Sequence, residues 1–327
     1  MARPAYQSCF DQWDTRAWVR SKPRRTAAFD PGKVFFSPDL CPLLHHPAVS
    51  GRPKPVLDRI LVHYLYLYLE FTVRLETGPV NDACLLLRDA AFLPWLPSGM
   101  RDDALRIYTD EAGHAEMSHT LTAEVRAATR VDPVPHEPRF LRELAALPGA
   151  EPAVDASLLT LFFVTVSETL ITASLNRLPR DGRVQARVRE LAADHAADEG
   201  RHHAYFRQVF GHVWPRLPAA QRRRIGLLLP RMLLAFLTPD EPALAAVLAD
   251  CGVARPDEVA GEVAAGPQAV AAVLEGARPT MRMFALEGVF DDPAVADAFA
   301  ADDLPVPASV SSPGPRSDPP TWPRPRS

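Results

Sequence analysis

The sequence predicts an all-α protein, with a four-helix-bundle core and additional N- and C-terminal helices. Three observations carry this expectation. Apolar residues between about residues 53 and 300 recur at helical spacing, with no convincing strand alternation. Two copies of Asp-Glu-x-x-His, Asp110-Glu111-Ala112-Gly113-His114 and Asp198-Glu199-Gly200-Arg201-His202, fall inside such stretches. Each copy follows a helix that carries an isolated glutamate. A carboxylate and an imidazole three residues apart project from one helical face. With 24 Asp, 16 Glu and 10 His in the chain, random order would produce roughly 0.04 such matches, so two are a signal.

Bulk properties exclude several classes. The 327 residues are 47% hydrophobic and 23% charged, ordinary values for a globular protein, and suffice for a large core. A net charge of -4 and a pI near 6.2 leave no footprint for nucleic acid or an anionic membrane. Cys9, Cys41, Cys84 and Cys251 are scattered, so neither a zinc site nor a disulfide framework is expected. The N-terminus lacks the apolar core of a signal peptide, and no run of about 20 uninterrupted apolar residues occurs. The expected location is the cytoplasm, with no nucleic-acid or membrane partner.

Along the chain, residues 1–52 read as an irregular arm packed on the domain through aromatics such as Trp13, Trp18, Phe29, Phe35 and Phe36. Residues 53–300 form the helical domain, with helices expected near 55–77, 80–92, 101–129, 138–147, 154–177, 183–211, 219–238, 241–251 and 266–288. Tyr64, Tyr66 and Tyr68 alternate as a strand would, but the helical pattern continuing past them argues for helix. Residues 301–327, rich in Pro and Ser, are expected to be a disordered tail.

Glu168 is the single charged residue of 156–176, amid Leu161, Phe162, Phe163, Val164 and Val166. Burying a lone carboxylate costs several kcal/mol unless a cation or a metal compensates it. In the first helix, Glu70 pairs with Arg74 at i,i+4 on a side shared with His63 and Tyr66, read as solvated, whereas Glu76 follows Leu65, Leu69 and Thr72 on the buried side. Pro79 predicts a kink just beyond. Glu116 and His119 form a further ExxH, but lie about 140° around the helix from Glu111 and His114, facing solvent or a partner. His195, Glu199 and His202 stand at offsets 0, 4 and 7, one narrow face. The ligand candidates are therefore Glu76, Glu111, His114, Glu168, His195, Glu199 and His202, an oxygen-rich set suited to iron or manganese. Asp110 and Asp198 are placed to hold the distal N–H of the histidine on the opposing helix.

The order Glu76, Glu111-x-x-His114, Glu168, His195-x-x-x-Glu199-x-x-His202 resembles that of the ferritin-like di-iron oxygenases of the aureothin-type p-aminobenzoate N-oxygenase family, over about residues 55–290. The third histidine is the specific part, because ferritins and most bacterial multicomponent monooxygenases have two. The resemblance implies that Glu111 and Glu199 act with His114 and His202, that Glu76 and Glu168 complete the ligand set, and that His195 is an extra ligand on one iron. It also implies a pocket tyrosine at Tyr68, an arginine from the C-terminal helices holding the substrate carboxylate (Arg282 and Arg278 are the nearest), and a homodimer.

The expected activity is O2-dependent oxidation of an arylamine nitrogen to hydroxylamine, nitroso or nitro products in antibiotic biosynthesis. Two Fe ions are the expected cofactors, with Mn as an impostor and O2 as co-substrate. No GxGxxG or flavin motif appears, so electrons come from a separate reductase or small donor. The rival readings are C–H hydroxylation of a free or carrier-tethered intermediate, and a non-enzymatic iron store or structural bundle. The long arm and the 219–300 region have no role in a storage cage, and a structural bundle does not need Glu168.

Overall fold

The computed structural model describes residues 6–23, 28–170 and 173–307. Its helices are α1 (Lys54–Leu75), α2 (Asn81–Arg88), α3 (Ser98–Thr129), α4 (Arg139–Ala150), α5 (Ala156–Thr169), α6 (Ala186–Val213), α7 (Ala219–Leu237), α8 (Glu241–Asp250), α9 (Pro256–Ala264), α10 (Pro267–Leu286) and α11 (Pro293–Ala301), with single turns between them. Among the described residues there is no strand, only an isolated parallel bridge between Val34 and Val184. The all-helical class read from periodicity holds.

Helices α1, α3, α5 and α6 form the bundle: α1 packs on α3, α3 on α6, and α6 on α5. α3 and α6 run antiparallel, since Tyr205 donates to the Met100 carbonyl at one end and Arg187 pairs with Glu124 at the other. Apolar side chains fill both ends. Phe162, Phe163, Phe210 and Phe284 pack at one, and Ile60, Leu65, Val125 and Leu248 at the other.

Three differences from the expected helices bear on the site. α1 and α2 are joined without a break by a π turn, Glu76–Val80, so the first lone glutamate stands where the pitch changes. Pro79 has no N–H to close an α turn, and the wider π turn replaces it. The helix expected over 154–177 stops at Thr169; Leu170 is extended, and a short helix resumes at Ala173–Arg177. Hydroxyls of Thr165, Ser167 and Thr169 bond the carbonyls of Leu161, Val164 and Thr165, local competition that weakens helix continuation. The start of α5 is held by Asp155, whose carboxylate accepts from Ser157 N at 2.8 Å. α9 and α11 were not anticipated.

The side of α1 bearing His63 and Tyr66 is not solvated. Both are buried, His63 against Asp250 of α8 and Tyr66 on the Val131 carbonyl; only the Glu70–Arg74 pair faces out. The arm is less irregular than expected, with helical turns at Trp13–Arg16 and Trp18–Ser21, the second of them lying on α3 and α6. The tail lies outside the described residues from 308 on; before that, Leu304 is buried and Val306 packs on the core, while 301–303 are exposed. The stretch Ala219–Asp250 has the length and mean hydropathy (1.4) of a membrane span. It is interrupted at Thr238–Asp240 and packs through α7 on α4, α5, α10 and α11, as a core helix does.

Candidate metal centre

Glu111 and His114 from α3, Glu199, His195 and His202 from α6, Glu76 from the π turn and Glu168 from α5 meet inside the bundle. All but Glu199 are buried, and its side chain is 22% exposed. Two overlapping sets arise. Glu76, Glu111, His114, His195 and Glu199 offer ligand atoms all within 4.8 Å of one another, and Glu111, Glu168, Glu199 and His202 do the same. Glu111 and Glu199 belong to both, the arrangement of two carboxylates shared between two ions.

Helix geometry decides which atom of each histidine faces inward. His114 Nε2 lies 3.1 Å from Asp198 Oδ2, and His202 Nε2 lies 3.3 Å from Asp110 Oδ2. With each Nε2–H donated to an aspartate, Nδ1 is left as the lone pair. His114 Nδ1 is 3.0 Å from Glu111 Oε2, and His202 Nδ1 is 2.9 Å from Glu111 Oε1 and 3.3 Å from Glu199 Oε1. His195 presents Nε2 instead, 3.1 Å from both Glu76 Oε1 and Glu199 Oε1.

Metal ions fit this site by a direct observation. Glu76 Oε2, Glu111 Oε1, Glu168 Oε2 and His202 Nδ1 are buried without a hydrogen-bond partner. His202 Nδ1 and Glu111 Oε1 are close yet not aligned as donor and acceptor, so both aim at common space rather than at each other. Each unsatisfied buried polar atom costs about 1–3 kcal/mol, which a coordinated cation offsets. No thiol belongs to the set.

Electrostatics without metal agree. Burial pushes Glu76 up to about 7, with Glu111 adding and His195 opposing. Burial, then the charges of Glu199 and Glu111, drives Glu168 well above the usual range. Burial works against ionised Glu111 and Glu199 too, but the His202 charge beside them leaves both below their usual values. Burial and His195 pull His114 down, yet its bonds to Asp198 and Glu111 hold it at about 9. Of the four carboxylates, Glu76 and Glu168 are thus pushed toward the protonated form, and Glu111 and Glu199 toward the charged one.

Of the other residues, one joins the cluster and the rest lie away from it. The Tyr68 hydroxyl is buried among His195, Glu76 and Glu199. Arg278 and Arg282 are exposed on α10 and are not brought to the cluster; the buried side of that helix carries Thr280, bonded to Thr169 of α5 at 3.1 Å. The resemblance that implied these arginines has no motif in the C-terminal helices to fix which residue is meant. Glu116 and His119 are exposed. His212 is buried with Nδ1 on the Gln208 carbonyl, and His203 is half-buried. Sequence reasoning missed Arg201, which pairs with Asp198 and was detectable as its i+3 neighbour. It also missed Trp13 and Trp18, which bond Asp110 and Asp198 from the arm and leave no local signal.

A helical bundle with a buried carboxylate–histidine cluster built on two antiparallel Asp-Glu-x-x-His helices defines a metal-site enzyme class. The family profile described as P-aminobenzoate N-oxygenase AurF matches residues 3–288, and the chain belongs to this family of N-oxygenases. It is similar to the 4-aminobenzoate N-oxygenase of Streptomyces thioluteus, 24% identical over 311 residues that cover 85% of this chain and 92% of that protein.

Proposed function

We propose that the chain holds two iron ions and uses O2 to oxidise the nitrogen of a small aminobenzoate-type arylamine. The observation that carries the reading is the pair of overlapping ligand sets sharing Glu111 and Glu199. In this assignment Glu76, His114 and His195 complete one set, and Glu168 and His202 the other. Bound iron supplies the redox chemistry that activates O2. In the first step one oxygen atom enters the N–H bond to give a hydroxylamine. The other leaves as water, with two electrons and two protons from an external donor; later cycles yield nitroso and nitro products.

The chain's own residues set the geometry and the environment. Asp110 and Asp198 orient the imidazoles, so the ligand atoms are arranged before metal arrives. The apolar wall of α5, from Leu161 to Val166, keeps the site dry. His195 adds a neutral donor on the Glu76 side. The Tyr68 hydroxyl, without a partner beside His195, is available to a substrate polar group. We place the enzyme in the cytoplasm, as a homodimer served by a separate reductase or small donor.

Anaerobic Fe(II) titration, followed by O2, a reductant and p-aminobenzoate, tests the reading. Two irons per chain and an N-oxidised product support it. One iron or none, or a ring-hydroxylated product only, would overturn it.

A further inference from the structure

Neither Asp110 nor Asp198 is satisfied by its histidine alone. Asp110 is fully buried; its Oδ2 faces His202 Nε2, and its Oδ1 accepts the indole N–H of Trp13 at 2.8 Å. Asp198 Oδ2 meets both His114 Nε2 and the main-chain N–H of Trp18, at 3.1 and 3.2 Å, while Oδ1 pairs with Arg201. Arg201 reaches the two carboxylates unequally, standing 3.9 Å from Asp110 Oδ2. Trp13 and Trp18 lie 97 and 180 residues from their acceptors, so the helices that bear the aspartates do not bring these donors with them.

The seat of this arm is built into the first motif. A Cβ at Gly113, between Glu111 and His114, would stand 2.2 Å from Val19 Cγ1. The missing side chain lets the Trp18–Ser21 turn, with Val19 in place, seat against the face of α3 that carries Asp110. The arm is tied down on both sides, by Tyr6 on Asp103, Lys22 on Asp194, and Gln208 on the Gln7 carbonyl at 3.2 Å. Phe10 stacks against His202 with 6.2 Å between ring centres.

We propose that residues 6–22 are a clamp on the metal centre, with Trp13 the positioning residue for His202; this rests on the dimetal reading above. The indole N–H fixes the Asp110 carboxylate, which accepts His202 Nε2–H, and the imidazole is thereby held with Nδ1 toward Glu111 and Glu199. Without that N–H, Asp110 and His202 turn more freely, and the set Glu111, Glu168, Glu199 and His202 loses its preset geometry. Asp198 keeps Arg201 and the Trp18 N–H, so the loss at Trp13 falls on one half of the centre.

The test is Co(II) titration of the metal-free full chain against a competing chelator, read by visible absorption. The wild type binds two ions. Trp13→Phe keeps the ring's packing but removes the donor; it weakens one ion about ten-fold and leaves the other as it was. Asp110→Asn weakens that same ion, and the double variant is no weaker than Asp110→Asn alone, because both act along one path. Gly113→Ala displaces Val19 and the Trp18 N–H, weakening the ion on the His114 side; adding Val19→Ala restores it, which a general loss of stability does not allow. Wild-type affinities in Trp13→Phe, equal loss at both ions, or no rescue by Val19→Ala overturns the clamp. A wild-type chain that binds no Co(II) sinks the dimetal reading instead.

Discussion

Asp198 Oδ2 on α6 lies 3.1 Å from Nε2 of His114 on α3, and Asp110 of α3 stands in the same relation to His202 of α6. Each Asp-Glu-x-x-His helix therefore orients the other's imidazole, which antiparallel packing of the two helices makes possible. Asp198→Asn replaces the acceptor that fixes the His114 tautomer while keeping its size. We expect Fe(II) affinity to fall about 10–100-fold, measured by chelator competition. Unchanged affinity would mean that the tautomer is set elsewhere.

Glu168 makes the metal-free chain less stable than its apolar wall alone would. Its Oε2 has no partner, and its ordinary ionisation is suppressed by burial. Glu168→Met fills similar volume without a polar group. The metal-free variant should be more stable than wild type by about 1–2 kcal/mol, read from urea unfolding, and should bind one ion fewer. A less stable variant that still takes two ions contradicts the assignment.

Metal and folding are linked through the same residues. An ion held only by the native state adds RT ln(1 + [L]/Kd), about 2.7 kcal/mol at a hundred-fold excess over Kd. Chelator should therefore lower the melting temperature of the loaded wild type and affect Glu168→Met less. Equal shifts in both would show that Glu168 takes no part in holding metal.

Glu76 stands at the joint between α1 and the π turn Glu76–Val80, and the turn sets how α2 leaves that joint. One residue more or less in a turn rotates the following side chains by about 100°. Pro79→Ala restores an N–H and permits α pitch, which rotates α2 against α1 and disturbs the joint where Glu76 is held 3.1 Å from His195. Titration with Co(II) should show weaker binding on the His195 side alone; two unaltered affinities would count against this role of Pro79.

Away from the centre, His63 and Asp250 predict a pH effect. Burial, with Arg59 adding, holds His63 below its ordinary value against the opposing pull of Asp250. The unfolded chain thus takes up a proton at a pH where the folded chain does not. This contribution to stability is complete above about pH 6.5 and is lost as pH falls from there toward the folded pKa. Burial raises Asp250, but its bonds to Arg59 and His63 outweigh that, so its contribution is lost only in stronger acid, below about pH 4. Metal-free wild type should lose its advantage in melting temperature over His63→Gln between pH 7 and 5. A difference that stays constant over this range rules the effect out.

The sequence by itself determined the helical class, the two Asp-Glu-x-x-His faces, the contrast between Glu70 and Glu76, and the isolation of Glu168. All of these are local: a 3.6-residue period and i,i+3 or i,i+4 offsets are written in neighbouring residues, and buried faces must be apolar along them. Tertiary structure alone decided the rest. The sequence could flag Pro79, but whether the chain kinked or widened depended on the helices packed around it. The break after Thr169 follows from hydroxyls whose competition with the helix is settled by surroundings. The His63–Tyr66 side is buried because α8 and the Val131 segment cover it. Arg278 and Arg282 face out because Thr280 takes the inward position against α5. The arm's hold on Asp110 and Asp198 joins residues 97 and 180 apart, pairings set by which distant surface a segment can fill, and no local period encodes that choice.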